Sequence, residues 1–229
     1  MTIGIFGTGM VAQALAASLL ARGNAVLIGT RDPGATLSRT EPGAFGNPPF
    51  SAWLKEHPGT ILGSYAEVAR GAEILINATS GAGSLPALES AGASNLDGKI
   101  LIDISNPLDF SQGFPPSLTV CNTDSLGEQI QRAFPALHVV KTLNTLTAPL
   151  MVNPALLPSD HVIFLNGNDA EAKARVTTLL GEWFGWKSSN VIDMGDITTA
   201  RGTEMLLPLW VRLFGTFGTP MFNFNIVRG

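Results

Sequence analysis

The stretch 2–32, TIGIFGTGMVAQALAASLLARGNAVLIGTRD, restricts the fold of this chain more than any other. An apolar run at 3–6 leads into Gly7-Thr8-Gly9-Met10-Val11-Ala12, then into an alanine- and leucine-rich segment ending near Arg22. Gly23-Asn24 closes that segment, and a second apolar run occupies 25–29. Ala and Leu are strong helix formers, so the order reads strand, tight turn, helix, turn, strand. Gly7 lets the chain turn sharply out of the strand. Gly9 removes a Cβ where a pyrophosphate approaches the backbone, and Ala12 still permits close helix–strand packing. The unpaired N–H groups of the first helical turn then face an anion, favoured further by the helix dipole. This spacing predicts dinucleotide binding; the competing reading is a tight turn with no ligand.

The end of the second strand bears on which dinucleotide. An acidic residue there, about 20 residues after the turn, bonds a ribose 2′-OH. Here the strand ends Ile28-Gly29-Thr30-Arg31. Thr30 offers a hydroxyl and Arg31 a guanidinium fork that suits a phosphate, which favours NADP over NAD. Asp32 is the competing ribose ligand but lies past the usual position, and the alternative for Arg31 is a solvated loop charge.

Downstream, residues 30–49 read as loop, punctuated by Pro33, Pro42, Gly43, Gly46, Pro48 and Pro49. A short helix is expected over 50–56 and a short strand over 60–62. Ser64 and Glu67 form a capping box for a helix to about 69. Strands follow at 73–78, 99–104 and 138–142; a small-residue loop at 79–84 precedes a helix to about 91, and another helix is expected over 125–134. A long loop with Phe110, Phe114, Pro115 and Pro116 runs to residue 118. The strands are continuous apolar runs, which predicts helices on both faces of a parallel sheet. Ligands in such sheets sit at the carboxyl ends of the strands. That gathers Ala78-Thr79-Ser80, Ser105-Asn106-Pro107 and Thr142 to Asn144 around one crevice.

The fold class is thus α/β: a Rossmann-type, doubly wound parallel sheet over residues 1–150, with a small C-terminal α/β domain over 151–229. In that second part a strand is expected at 161–165, an amphipathic helix at 169–184 and a short strand at 191–193. A helix over 197–217 is apolar nearly all round, with Pro208 expected to kink it. The tail 221–227 is expected to tuck toward the site.

Several functions find no support. The net charge of −4 argues against nucleic acid as a partner. Cys121 is the only cysteine, which leaves no intrachain disulfide and fits a reducing cytoplasm. His57, His138 and His161 lack metal-ligand spacing, so no metal is expected. Residues 2–21 carry no charge, but glycines break the apolar run and no basic segment precedes it, so it does not read as a signal peptide. The apolar stretch 205–217 is too short to span a bilayer. Charged residues make up only 14% of the chain, so an apolar face buried between subunits, in a homodimer, is expected. Asp103 and Asp109 show no carboxylate partner for acid–base work. Lys141 and Asn144 have two readings. One is a polar pair acting on a carbonyl substrate; the other is a strand lysine reaching solvent and an asparagine bonded to backbone or cofactor.

Four stretches together resemble the NADPH-dependent reductases of the deazaflavin coenzyme F420, the F420:NADP oxidoreductase family. They are the glycine turn 7–12, Gly29-Thr30-Arg31, Asp103-Ile104-Ser105-Asn106-Pro107-Leu108, and Lys141-Thr142-Leu143-Asn144-Thr145 running on to Met151-Val152-Asn153-Pro154. The resemblance implies NADP along the glycine turn, with Thr8, Thr30 and Arg31 at the 2′-phosphate and the nicotinamide near Ala78 and Thr79. It implies a deazaflavin stacked on the nicotinamide in a cleft closed by the C-terminal part, and direct hydride transfer between the rings. The residues assigned to the cofactor are Gly7, Thr8, Gly9, Met10, Val11, Thr30, Arg31, Ala78, Thr79, Asn106 and Asn144; no catalytic residue is assigned. The second basic contact that the family often adds a few residues after Arg31 has no equivalent lysine here, and Arg39 is the nearest cation. F420 or a flavin is the expected small-molecule acceptor. The alternatives are a hydroxyacid-type dehydrogenase using Lys141 and Asn144, and a dinucleotide-sensing protein without turnover.

Overall fold

A computed structural model describes residues 1–42 and 48–229. The part of the expected 30–49 loop that holds Gly43 and Gly46 lies outside the described residues. The first two thirds of the chain run β1 (Thr2–Phe6), α1 (Met10–Ala21), β2 (Ala25–Thr30), α2 (Pro33–Ser38), α3 (Phe50–Glu56), β3 (Thr60–Ser64), α4 (Tyr65–Gly71), β4 (Ile74–Asn77), α5 (Gly81–Ala91), α6 (Ala93–Leu96) and β5 (Ile100–Asp103). They continue with β6 (Leu108–Asp109), β7 (Ser117–Leu118), α7 (Leu126–Ala133) and β8 (His138–Lys141). The remainder forms α8 (Ala148–Val152), β9 (Ile163–Asn166), α9 (Ala170–Phe184), β10 (Val191–Gly195) and α10 (Ala200–Phe217).

Eight strands make one sheet in the order β3-β2-β1-β4-β5-β8-β9-β10. The six from β3 to β8 are parallel. The chain winds outward from β1 toward β3, then crosses back through β4, so the order reverses beside the glycine turn. β9 joins β8 antiparallel, and β10 is parallel to β9. Segments before and after residue 150 thus share one sheet. They also share one core: Ile5 and Leu15 pack in the same cluster as Val176, Leu179 and Trp183 from α9. A second cluster on the other face joins β4 and β5 to α4, α5 and α7 through Leu75, Leu101, Leu88 and Ile130. Each such side chain contributes about 1.5–3 kcal/mol on burial. The sandwich of helices on both faces agrees with the unbroken apolar runs of the central strands.

Three departures from expectation have local causes. The 30–49 segment holds a helix, α2, because Asp32 Oδ1 accepts the Ala35 N–H and Pro33 occupies the first helical position. The 105–118 segment contains a short antiparallel hairpin, with Leu108 opposite Leu118. α10 runs on through Pro208 and is not enclosed all round: Met205, Leu209 and Phe217 are exposed. The capping box at Ser64 and Glu67 is present, with both reciprocal bonds. The tail docks on the start of β9: the Val162 N–H donates to Phe224 O, and Asn223 Nδ2 donates to Val162 O.

Candidate active site

The glycine turn sits where its sequence puts it. Gly7 has φ +112°, and a Cβ there would lie 2.7 Å from Ala78 O, so β4 and the turn approach as closely as they do only with glycine. Gly9 stands before α1 with open space where a Cβ would project. No side chain caps α1 and no acidic residue occupies its first turn, so its leading N–H groups face that space. Gln13 braces the turn from below, its Nε2 donating to Thr8 O at 2.9 Å.

Three cavities share walls along this turn. One of about 460 Å³ is bounded by Thr8, Gly9, Met10, Val11, Thr36, Arg39, Phe50 and Ala78. A second, about 240 Å³, is bounded by Gly7, Thr8, Gly9, Arg31, Tyr65, Ala78 and Thr79. A third, about 450 Å³, opens past Ala78 toward the strand ends. Exposed Arg39 lines the first of these and exposed Arg31 the second. Thr30 does not line either: it is buried, with its hydroxyl 2.9 Å from Thr36 Oγ1. Thr36 in turn accepts from Arg39 Nη2 at 3.1 Å. Sequence reasoning passed over Thr36 and left Arg39 only as a nearby cation; the Asp32-Pro33 helix start was the available signal, since it brings both back to the β2 end.

The third cavity is lined by Val11, Ala78–Ala82, Ile104–Asn106, Leu108, Phe110, Asn144, Leu146, Met151, Leu207 and Trp210. Among these described residues none is ionisable. Gly81 permits close packing here: a Cβ there would come within 2.2 Å of Asn106 O, so α5 starts hard against the segment that follows β5. Thr79 is fixed by Asn77, whose Oδ1 accepts the Thr79 hydroxyl at 2.6 Å. Asn106 and Asn144 are locked together: Asn144 Nδ2 donates to Asn106 Oδ1 at 3.0 Å, and Asn106 Nδ2 donates to Asn144 O at 2.9 Å. Leu143, just before Asn144, has φ +58°, an uncommon conformation for a residue with a Cβ. Trp210 forms an aromatic wall, stacked on Phe214 and Phe222 with centroids 5.9 and 5.3 Å apart. Phe110 reaches this cavity, whereas Phe114 is exposed and lies outside its lining. The tail thus supports the cleft from behind Trp210 through Phe222.

Lys141 overturns both of its readings. It neither reaches solvent nor lines the cleft; it is fully buried. Its Nζ lies 2.8 Å from Asp103 Oδ2 and 2.8 Å from Glu204 Oε1. Burial pushes the ammonium pKa down, but the charges and hydrogen bonds of Asp103 and Glu204 outweigh it, so the net direction is up and the lysine stays charged. Asp103, read as lacking a carboxylate partner for acid–base work, shares Lys141 with Glu204 as one leg of an ion triad. Glu204 is a residue that the sequence did not single out, because its partner lies 63 residues away.

Comparison with known proteins follows the same lines. Residues 2–107 match the family model described as NADP oxidoreductase, coenzyme F420-dependent. A structure of a candidate F420-dependent NADP-reductase from Arthrobacter sp. FB24 is 58% identical, covers 99% of each chain and superposes with a TM-score of 0.93. The metalloreductase STEAP3 of Rattus norvegicus is 28% identical over 213 residues, covering 91% of this chain; the chain spans 37% of its length. An imine reductase from Myxococcus stipitatus in complex with NADP+ shares the fold at 14% identity and TM-score 0.59, over 95% of this chain and 64% of its own. Among the described residues no helix is long and apolar enough to cross a membrane. With the glycine turn, the basic β2 end and a full-length match at 58% identity all in agreement, the chain belongs to the coenzyme F420-dependent NADP oxidoreductase family.

Proposed function

We propose that this chain binds NADP(H) along the glycine turn and exchanges a hydride with a flat deazaflavin or flavin ring held in the cleft between the strand ends and α10. The observation that carries this reading is the lining of that cleft: small residues on one side, Trp210 and Leu207 on the other, and no ionisable group among the described lining residues. Carbonyl reduction calls for a proton donor at the developing alkoxide. Hydride exchange between two ring systems calls mainly for alignment and exclusion of water.

In this reading Gly7, Thr8, Gly9, Met10 and Val11 hold the pyrophosphate against the start of α1, and Arg31 with Arg39 attracts the 2′-phosphate. Bound NADPH supplies the hydride from its nicotinamide. Ala78 and Thr79 give the nicotinamide a flat floor, and Asn106 and Asn144 fix its carboxamide edge. Residues 151–229 complete the acceptor half of the cleft, with Leu207 and Trp210 as its wall. Phe110, on the hairpin segment, covers the mouth and limits water.

The test is anaerobic NADPH oxidation at 340 nm with F420, with FMN, and with a panel of 2-keto and 3-keto acids. The expected result is turnover with F420 or FMN and none with the keto acids. Turnover of a keto acid alone would replace this reading with a carbonyl dehydrogenase.

A further inference from the structure

The Lys141 triad has no contact with the cleft, yet it holds Ser105, which lines it, and its Glu204 lies on the helix that carries Leu207 and Trp210. Its Nζ also donates to Ser105 O, the carbonyl of the peptide that leads into Asn106. Asp103 Oδ1 accepts from Ser105 N, from Ser105 Oγ and from Asn77 Nδ2, the last at 2.9 Å. Asn77 is the residue that fixes Thr79. On the other side Glu204 belongs to α10, one turn before Leu207 and two before Trp210. Glu204 is itself seated on the start of α7, accepting the Leu126 and Gly127 N–H groups at 2.9 and 3.0 Å. Thr203, next to it, takes a bond from Asn144 Nδ2 through its carbonyl and one from Asn166 Nδ2 through its hydroxyl.

We propose that Lys141, with Asp103 and Glu204, is the positioning device of the acceptor half of the cleft: a buried clasp that sets the separation between the Thr79–Asn106 strand ends and the Leu207–Trp210 wall to the thickness of stacked flat rings. The proposal rests on the reading under Proposed function. Its physical basis is that three charges sealed from water tolerate little displacement, since each must keep its partner. A Leu or Met in place of Lys141 would fill the volume but leave two carboxylates facing each other and the Ser105 carbonyl without a donor. α10 would then separate from the strand ends, while the glycine turn, braced by Gln13 and α1, would not move. The consequence is a selective loss in the acceptor site rather than a uniform one.

The test uses Lys141→Met and, because that variant leaves two unbalanced carboxylates and can fail to fold, the charge-paired Lys141→Met/Asp103→Asn. For each, the dissociation constant of NADP+ is measured by fluorescence titration. The KM and kcat for F420 and FMN are measured at saturating NADPH, and hydrogen exchange is followed by mass spectrometry. Expected are an acceptor KM raised at least tenfold, an NADP+ dissociation constant within about threefold of wild type, and faster exchange confined to residues 104–108 and 200–211. Equal losses for acceptor and NADP+, or an acceptor KM within twofold in a folded variant, would overturn the clasp as a positioning device. If the wild-type protein turns over neither F420 nor FMN, the acceptor reading fails instead, and exchange decides the clasp. Faster exchange in 104–108 and 200–211 with the 7–21 segment unchanged upholds it; a uniform or absent change refutes it.

Discussion

Arg31 and Lys141 carry the same kind of charge in opposite surroundings, one exposed and one fully buried. Arg31 lies at a strand end, exposed beside the glycine turn, where the sequence placed it. Arg31→Ala is expected to raise the KM for NADPH about ten- to hundredfold while changing that for NADH little. A hydrogen bond to a charged group is worth about 1.5–3 kcal/mol. Steady-state kinetics with both cofactors checks this; equal changes for the two would remove Arg31 from the 2′-phosphate. Lys141 was not legible because its partners stand 38 and 63 residues away, at Asp103 and Glu204. An isolated lysine within an apolar strand gives no hint whether it reaches water or a buried carboxylate; only the tertiary fold decides. Thr30 shows the converse error of local reading. Its hydroxyl was assigned to the ligand, but the helix that follows turns Thr36 onto it.

At the scale of elements, those with complete local signals were read correctly. The Ser64–Glu67 capping box, the apolar β4 and the Asp169-capped α9 each state their own boundaries. α2 was missed because Asp32 was weighed only as a ribose ligand and not as an N-cap. The antiparallel joining of β9 to β8 has no local signature at all. The contact of α7 with α10 likewise depends on residues far apart, and it is expected to weaken in acid. Glu128 receives two bonds from Arg201, and Ser125 donates to it as well. Arg201 holds the Glu128 carboxyl below the usual carboxylate range against the opposing effect of burial, and Ser125 adds to the lowering. Because the folded pKa is below the unfolded one, the unfolded state binds more protons between the two values. The stabilisation is therefore complete above about pH 4.3, the unfolded value, and is lost as pH falls through the folded value. Glu128→Gln is expected to cost about 1–3 kcal/mol at pH 7 and to lose less further stability than wild type between pH 5 and pH 3. Urea unfolding across that range checks the sign; identical acid responses in the two proteins would show that Glu128 does not contribute.

For the whole molecule, some of the exposed apolar side chains gather on two segments that also supply residues to the cleft. Met205, Leu209 and Phe217 lie on α10, and Phe110 and Phe114 lie on the hairpin segment, both at the edge of the cleft. Exposed apolar side chains along one helix suit an interaction surface. A homodimer through α10 is the expected assembly, with Leu209→Lys shifting it to monomer. Light scattering at micromolar concentration that gives the monomer mass for the unaltered chain would contradict this. The overall architecture was legible because a parallel sheet with helices on both faces leaves an unbroken apolar run in each central strand. The acceptor half of the cleft was less so, since Leu207, Trp210 and Met151 converge on it from segments that read individually as ordinary core.

The central claim is a direct hydride exchange in a cleft without an obligatory acid or base. It is tested most directly by NADPH carrying deuterium at the transferred C4 position, in single turnover with F420 or FMN under anaerobic conditions. With F420 the deuterium is expected at the reduced deazaflavin C5, retained in water. With FMN, whose reduced N5–H exchanges, a primary isotope effect on the absorbance decay is expected in place of retention. Asn144→Ala is expected to lower the rate far less than the 10²–10⁴-fold typical of losing a general acid or base. Loss of the label to solvent from F420 during transfer, or no isotope effect with either acceptor while a keto acid is reduced with the label, would contradict it.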